Sequence, residues 1–142
     1  MSGLKEMDLL GDRIAEFSGQ ISSQRVLPSD GSSPIMETTV QDAGTVLGVA
    51  TQQIITYTST VRADGSIAGE GQGVLTTAEG DMAAVTAAGV GTLGQGGAVE
   101  WVGSLYYFSS AEKLARLNGV VSVFEYAIDG QGNTKGEFWE WK

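Results

Sequence analysis

The sequence predicts an all-β protein in which eight or nine antiparallel strands form an up-and-down meander and close into a small barrel. Runs rich in β-branched and aromatic residues recur along the chain, and short Gly-containing turns separate them. These returns are too short for a crossover helix, so neighbouring strands should be antiparallel. Because only closure removes the exposed edges of a long meander, we expect a barrel, with a two-sheet sandwich as the alternative.

The length and net charge of the chain indicate how many domains it has and which partners it does not bind. The chain has 142 residues, so we expect one domain, 1–142, that buries its own core. Its 17 acidic and 8 basic residues give a formal charge of −9. Binding to phosphate groups requires clustered Lys and Arg, and the sequence contains no such cluster. The sequence therefore argues against nucleic acid and anionic membrane surfaces as partners.

The sequence contains neither Cys nor His. Their absence excludes disulfides, thiolate nucleophiles, Ser-His-Asp catalysis and histidine metal ligands. No Asp-rich loop has the spacing of a calcium site, so we expect neither a metal nor a cofactor. The N-terminal segment lacks the features of a signal peptide, and no apolar stretch is long enough to cross a membrane. We expect a cytoplasmic protein without membrane insertion.

The N-terminal third predicts two strands around a proline-containing loop. Leu4, Met7 and Leu10 have helical spacing, so the segment 1–10 is either a short amphipathic helix or a frayed terminus. The next elements are a long strand, a loop with both prolines, a second strand and a turn, at 13–26, 28–34, 35–41 and 42–44. The segment 45–50 is either a separate short strand or the start of a long strand bent at Gly48.

The middle of the chain predicts four successive strands. Asp64-Gly65 is a strong hairpin signal, and Gly80 and Gly94 mark the next two turns. The four strands lie at 53–62, 66–77, 81–93 and 98–108. A final hairpin pairs strands at 120–128 and 134–141.

One helix near 110–118 interrupts the strands. Ser109 and Glu112 have the spacing of a capping box, in which the Ser109 side chain accepts from a backbone N–H of the first turn and the Glu112 side chain accepts from the backbone N–H of Ser109. Leu114 and Leu117 share one face, and Gly119 supplies a C-terminal stop. We expect this short helix to plug or flank the barrel.

Period-two alternation places Gly69, Gly71 and Gly73 on one face of their strand. In a barrel, such a row either lets a bulky residue of another strand press against the backbone or leaves room for a ligand. Aromatic residues on the neighbouring strands are candidates to line that space. The candidate ligand-binding residues are Tyr57, Glu70, Trp101, Tyr107, Phe124 and Trp139.

Strand-borne carboxylates are the candidates for catalysis. A glutamate that points into an apolar lumen would be held neutral and could act as a general acid or base. The alternative is that each of these side chains faces water. The candidates are Glu37, Glu70, Glu100, Glu125 and Glu137, and their spacing singles out no pair.

The glycine-rich segments Asp64–Gly73 and Gly89–Gly97 give the chain a layout that resembles bacterial proteins of unknown function with an allene-oxide-cyclase-like or calycin-like small barrel. The resemblance covers the segment 11–142 and depends on strand order and glycine rhythm. It implies a lumen suited to small apolar molecules and, for the cyclases, catalysis without a metal or organic cofactor. No catalytic residue carries over, because no catalytic motif matches.

Three hypotheses for function follow. The leading one is a protein that binds a small apolar or amphipathic molecule in the barrel lumen. The second is a cofactor-free cyclase or isomerase that uses a buried Glu and a Tyr. The third is a structural or self-assembling protein with a filled barrel. In that case, the small residues on both faces of the strand at 81–93 would form a homo-oligomer interface. The sequence favours a binding protein over an enzyme.

Overall fold

The computed structural model describes residues 9–142 and contains eight β-strands. They are β1 (Leu10–Leu27), β2 (Ile35–Val46), β3 (Val49–Val61), β4 (Ile67–Thr77), β5 (Met82–Leu93), β6 (Val99–Phe108), β7 (Val121–Ile128) and β8 (Asn133–Trp141). Each strand pairs antiparallel with the next, and β8 pairs with β1 to close the barrel. The predicted meander and barrel are confirmed. Most of the predicted N-terminal helix lies outside the described residues.

The turn between β2 and β3 differs from the prediction. The sequence predicted a turn at Asp42–Gly44, but β2 continues through both residues and the chain reverses at Leu47-Gly48. Both turn residues have positive φ, 50° at Leu47 and 79° at Gly48, as a tight hairpin turn requires. The predicted turn was wrong because Asp42 and Gly44 are inward positions of a strand, chosen for their surroundings and not for turn geometry.

The predicted helix is present as a 3₁₀ helix, Glu112–Gly119, and a short 3₁₀ turn lies at Gln95–Gly97. The predicted capping box is wrong. The Ser109 hydroxyl donates to the Met82 carbonyl at 2.6 Å and accepts from the Ala111 N–H at 3.1 Å. Ser109 therefore attaches the segment before the helix to β5 and does not cap the helix.

The two ends of the barrel differ. At one end lie the segment 47–48, the segment 78–81 and the 3₁₀ helix, whose buried Leu114 and Leu117 are 3% and 0% exposed. We call this the closed end. At the other, the open end, lie the longer loop 28–34 and the turns 62–66, 94–98 and 129–132. The interior near the closed end is filled by apolar side chains, among them Phe17, Val46, Leu75, Ala83, Val85 and Leu105.

The outer faces of the strands also differ. Among the outward side chains of β3 to β6, only Glu70 and Glu100 carry a charge. The outer face of β1 and β8 carries exposed ion pairs, Arg13–Glu137 at 2.8 Å and Arg13–Glu16 at 3.1 Å. The homo-oligomer interface suggested by the small residues of β5 stays a prediction. In the described residues, no helix is long and apolar enough to span a bilayer, and the cytoplasmic location also stays a prediction.

Candidate ligand site at the open end

Two aromatic side chains cross the lumen and separate its open part from its filled part. Trp101 on β6 and Tyr57 on β3 meet edge to face, with ring centroids 5.5 Å apart and an interplanar angle of 75°. The Trp101 ring lies over Gly69 and Gly91, where an added Cβ would come within 2.7 Å and 3.1 Å of ring atoms. The glycine row therefore admits a bulky residue from another strand. We call Tyr57 and Trp101 the aromatic floor.

On the open side of the aromatic floor lies a cavity of about 500 Å³, which we call the mouth cavity. Its walls come from the seven strands β1 to β7 and from the turn before β8. Most of its side chains are apolar, including Ile21, Met36, Val61, Ile67, Val99 and Ile128. Thr38, Ser59 and Gln131 add polar groups. An apolar cavity with a few placed polar groups is the usual composition of a small-molecule site.

Three polar groups converge on the aromatic floor. Thr38 is 2% exposed, and its hydroxyl accepts a long hydrogen bond from Gln24 Nε2 at 3.4 Å. Burial raises the pKa of Tyr57, and the nearby Thr38 hydroxyl and Trp101 indole oppose that rise. Within the described part of the chain, the buried Trp101 Nε1 makes no well-formed hydrogen bond, and the Tyr57 hydroxyl is a polar group near it. We call this group of Thr38, Tyr57 and Trp101 the polar recess.

On the filled side of the aromatic floor lies a second, smaller cavity of about 60 Å³. Tyr57 and Trp101 line both cavities, and the smaller one is otherwise bounded by apolar groups such as Val40, Ile55 and Phe124. A site needs two or more polar partners to hold an ordered water, and this lining offers few. The inner cavity is therefore a gap in the packing, and its volume is too small for an organic ligand.

A buried carboxylate lies elsewhere in the barrel interior. Asp42 is 4% exposed and accepts hydrogen bonds from Tyr126 Oη at 2.6 Å, Thr134 Oγ1 at 2.6 Å and Gln53 Nε2 at 3.3 Å. Burial and the neighbouring Asp42 raise the pKa of Tyr126. Three donors around one carboxylate offset much of the cost of burying it. Asp42 lines neither cavity, so its contacts join β2, β3, β7 and β8 rather than face a ligand.

The predicted ligand-binding residues fall in three places. Tyr57 and Trp101 form the floor of the mouth cavity, and Phe124 lines the inner cavity. Tyr107 is buried at 7% exposure in the filled part, where burial raises its pKa to about 12. Glu70 and Trp139 lie on outward positions of β4 and β8. The structure thus brings Tyr57 and Trp101 together, and their role in binding stays a prediction.

The catalytic carboxylates that the sequence suggested are not in the lumen. Glu70, Glu100 and Glu125 are exposed, and Glu37 and Glu137 are half-exposed partners of Arg25 and Arg13. No glutamate is buried anywhere in residues 9–142, so the buried Glu that the enzyme hypothesis requires is missing there. The buried carboxylate is Asp42, which sequence reasoning assigned to a turn. No group of three acidic side chains in the same residues could hold a metal ion.

Comparison with known proteins supports the fold alone. No protein-family model matches the chain, and no curated protein matches it. A conserved protein of unknown function from Rhodopseudomonas palustris superposes with a TM-score of 0.77 at 10% identity, covering 91% of this chain and 95% of that one. A protein of unknown function from Clostridium acetobutylicum gives 0.77 at 8% identity, covering 91% and 96%. An enzyme from Penicillium herquei gives 0.60 at 16% identity, covering 92% and 97%.

Proposed function

We propose that this barrel binds a small, largely apolar molecule in the mouth cavity. The observation that carries the proposal is a cavity of about 500 Å³ that ends on a fixed aromatic floor. Small-molecule sites usually have volumes of about 300–1,000 Å³ and are lined mainly by apolar and aromatic side chains. The resemblance to calycin-like and allene-oxide-cyclase-like barrels supports the same reading, since their lumens suit small apolar molecules.

The shape of the barrel supports entry from one side only. Leu114 and Leu117 cover the closed end, and the side chains next to them fill that part of the lumen. The open end carries the loop 28–34 and three turns, one of which contains the short 3₁₀ turn Gln95–Gly97, and no longer helix lies there in the described residues. A ligand can therefore reach the aromatic floor through the mouth and go no further, because the inner cavity is too small.

The aromatic floor is also prepared for binding before a ligand arrives. The Trp101 ring packs against the backbones of Gly69 and Gly91, and it also contacts the Tyr57 ring. A side chain already fixed in its bound position loses little conformational entropy when a ligand contacts it. An apolar ring or chain placed on Trp101 would gain the full benefit of burial at about 25 cal/mol per Å².

The test is titration with N-phenyl-1-naphthylamine, a neutral probe whose fluorescence rises in apolar surroundings. The wild-type chain should bind one probe with saturable enhancement. Ser59→Phe fills the mouth cavity and should weaken binding by about tenfold or more, equivalent to about 1.4 kcal/mol. Thr58→Phe adds the same side chain to the outer face of β3 and should leave the affinity unchanged.

Two results would count against the proposal. One is the absence of saturable binding by the wild-type chain, and the other is equal affinity of the Ser59→Phe and wild-type chains. Native mass spectrometry of the freshly purified protein gives an independent check. A retained mass that is lost on denaturation would identify a natural ligand to pursue.

A further inference from the structure

We infer that the ligand of the mouth cavity is electrically neutral and carries a hydrogen-bond acceptor, such as a ketone or ester oxygen, that accepts from Trp101 Nε1. This inference rests on the proposed function and names the chemical class of molecule that the same site would take. Two independent observations support it. The first is the unpartnered indole N–H on the aromatic floor, and the second is the distribution of charge around the mouth.

The indole nitrogen of Trp101 lacks a hydrogen-bond acceptor. Trp101 is 7% exposed, and among the described residues its Nε1 is one of two buried side-chain polar atoms without a hydrogen-bond partner. Nearly all buried polar groups in proteins are hydrogen-bonded, and leaving one unpaired costs about 1–3 kcal/mol. An indole N–H can only donate, so the missing partner must be an acceptor.

The neighbouring hydroxyls fit the same acceptor. Tyr57 and Thr38 lie beside the indole in the polar recess, and each hydroxyl can donate as well as accept. A carbonyl oxygen has two lone pairs, so it could accept from the indole and from one hydroxyl together. The rest of an apolar ligand would then lie against Ile67, Val99 and the other apolar walls. An ordered water is the competing occupant of the recess.

The lining of the mouth cavity disfavours an anion. Asp129 is the only charged residue among the described side chains that line it, and no Lys or Arg does. Burying an anionic group without a cation is costly. The two arginines near this end do not line the cavity, since Arg25 pairs with Glu37 at 3.3 Å and Arg62 Nε donates to Ser66 Oγ at 2.9 Å.

The turns around the open end add negative charge. Three of them carry an aspartate: Asp30, Asp64 and Asp129. Hydrogen bonds from the serine or asparagine a few residues further along hold the pKa of each carboxyl below its usual range. These carboxylates therefore stay ionised at neutral pH. Together with the formal charge of −9, they repel an anionic ligand before it enters.

The test for the acceptor uses Prodan, a neutral naphthalene ketone, beside N-phenyl-1-naphthylamine, which has no carbonyl group. Trp101→Phe keeps an aromatic ring and removes the N–H. It should weaken the binding of both probes, because the floor becomes smaller, but the loss for Prodan should be about fivefold to tenfold greater than the loss for the other probe, and the bound Prodan emission should shift to shorter wavelength. Trp141→Phe, at a position 59% exposed, is the matched control and should change neither affinity.

The test for charge uses 8-anilinonaphthalene-1-sulfonate, which is the same amine with an added sulfonate. At low ionic strength it should bind at least about tenfold more weakly than the neutral parent. Tyr57→Phe is a second recess variant in case Trp101→Phe does not fold. It should weaken Prodan binding selectively, though by less.

The outcomes separate this inference from the proposed function. Failure of the wild-type chain to bind N-phenyl-1-naphthylamine would overturn both. Binding of that probe, with equal losses for both neutral probes in the recess variants, would show that the floor only stacks and would overturn the acceptor. No loss for either probe would mean that the indole binds water alone and would also overturn it. Equal affinity for the sulfonate would overturn neutrality.

Discussion

The filled part of the barrel and the mouth cavity are built from the same strands, yet they are lined differently. In the filled part, Leu75, Leu105 and Leu117 are 1%, 1% and 0% exposed and leave only the inner cavity of about 60 Å³. In the mouth, the inward residues of the same β4 and β6 are Ile67, Val99 and Trp101, which border the cavity of about 500 Å³. Under the proposed function, stability depends on one stretch of each strand and binding on another. Two substitutions and one pH series test this difference between the two parts.

The largest effect should come from the buried carboxylate. Asp42→Leu removes the acceptor of Tyr126, Thr134 and Gln53 and leaves their donors buried. Each unpaired donor costs about 1–3 kcal/mol, so the free energy of unfolding should fall by about 4 kcal/mol in urea denaturation. Asp12→Leu, at a side chain 85% exposed, is the control and should change it by less than about 1 kcal/mol. A small effect at Asp42 would mean that this cluster adds little to the filled part.

A smaller effect is expected at the boundary between the two parts. Gly69→Ala places a Cβ about 2.7 Å from the Trp101 ring, so the aromatic floor must shift. Overpacking of this kind should lower the free energy of unfolding by about 2 kcal/mol and change the tryptophan emission and the probe affinity. Gly119→Ala, where an added Cβ meets nothing within 4 Å, should leave all three unchanged. Unaltered emission from Gly69→Ala would show that the floor is not held by that glycine.

The smallest effect concerns alkaline pH. Burial raises the pKa of Tyr107 to about 12, whereas the ordinary pKa of a tyrosine, which applies in the unfolded chain, is 10.0. The contribution of the protonated Tyr107 phenol to the free energy of unfolding is therefore complete below pH ~10 and is lost as pH rises through about 12. Urea unfolding should show stability falling by about 1 kcal/mol per pH unit more steeply in the wild-type chain than in Tyr107→Phe. Parallel pH profiles for the two chains would contradict the burial of this phenol as a source of stability.

Local signals in the sequence were enough for the strands and most turns. Gly65 and Gly80 mark reversals because glycine accepts positive φ, 86° and 90° here, and the hairpins follow. The same rule failed at Asp42, because an inward aspartate is chosen for partners on β3, β7 and β8 that lie far away in sequence. Local turn chemistry cannot register such contacts.

The candidate site could be predicted only in part, for a related reason. Alternation placed Trp101 on one face of its strand but not on the inner or the outer one. The glycines that accept its ring are on β4 and β5, so their contact with Trp101 depends on the register of neighbouring strands, which places Gly91 directly opposite Trp101. Trp139 shows the limit, because an aromatic residue on a strand looks the same in sequence whether it faces the lumen or, as here, the outside.

Closure of the barrel also has a kinetic consequence. The seam between β1 and β8 joins residues as distant as Leu10 and Trp141. Such long-range pairing makes a chain fold slowly, because the entropy of a large loop is lost before the contacts that repay it are formed. During synthesis, β1 stays an unpaired edge on one side until β8 has left the ribosome. Chaperones that shield strand edges would therefore act on this protein mainly in that interval.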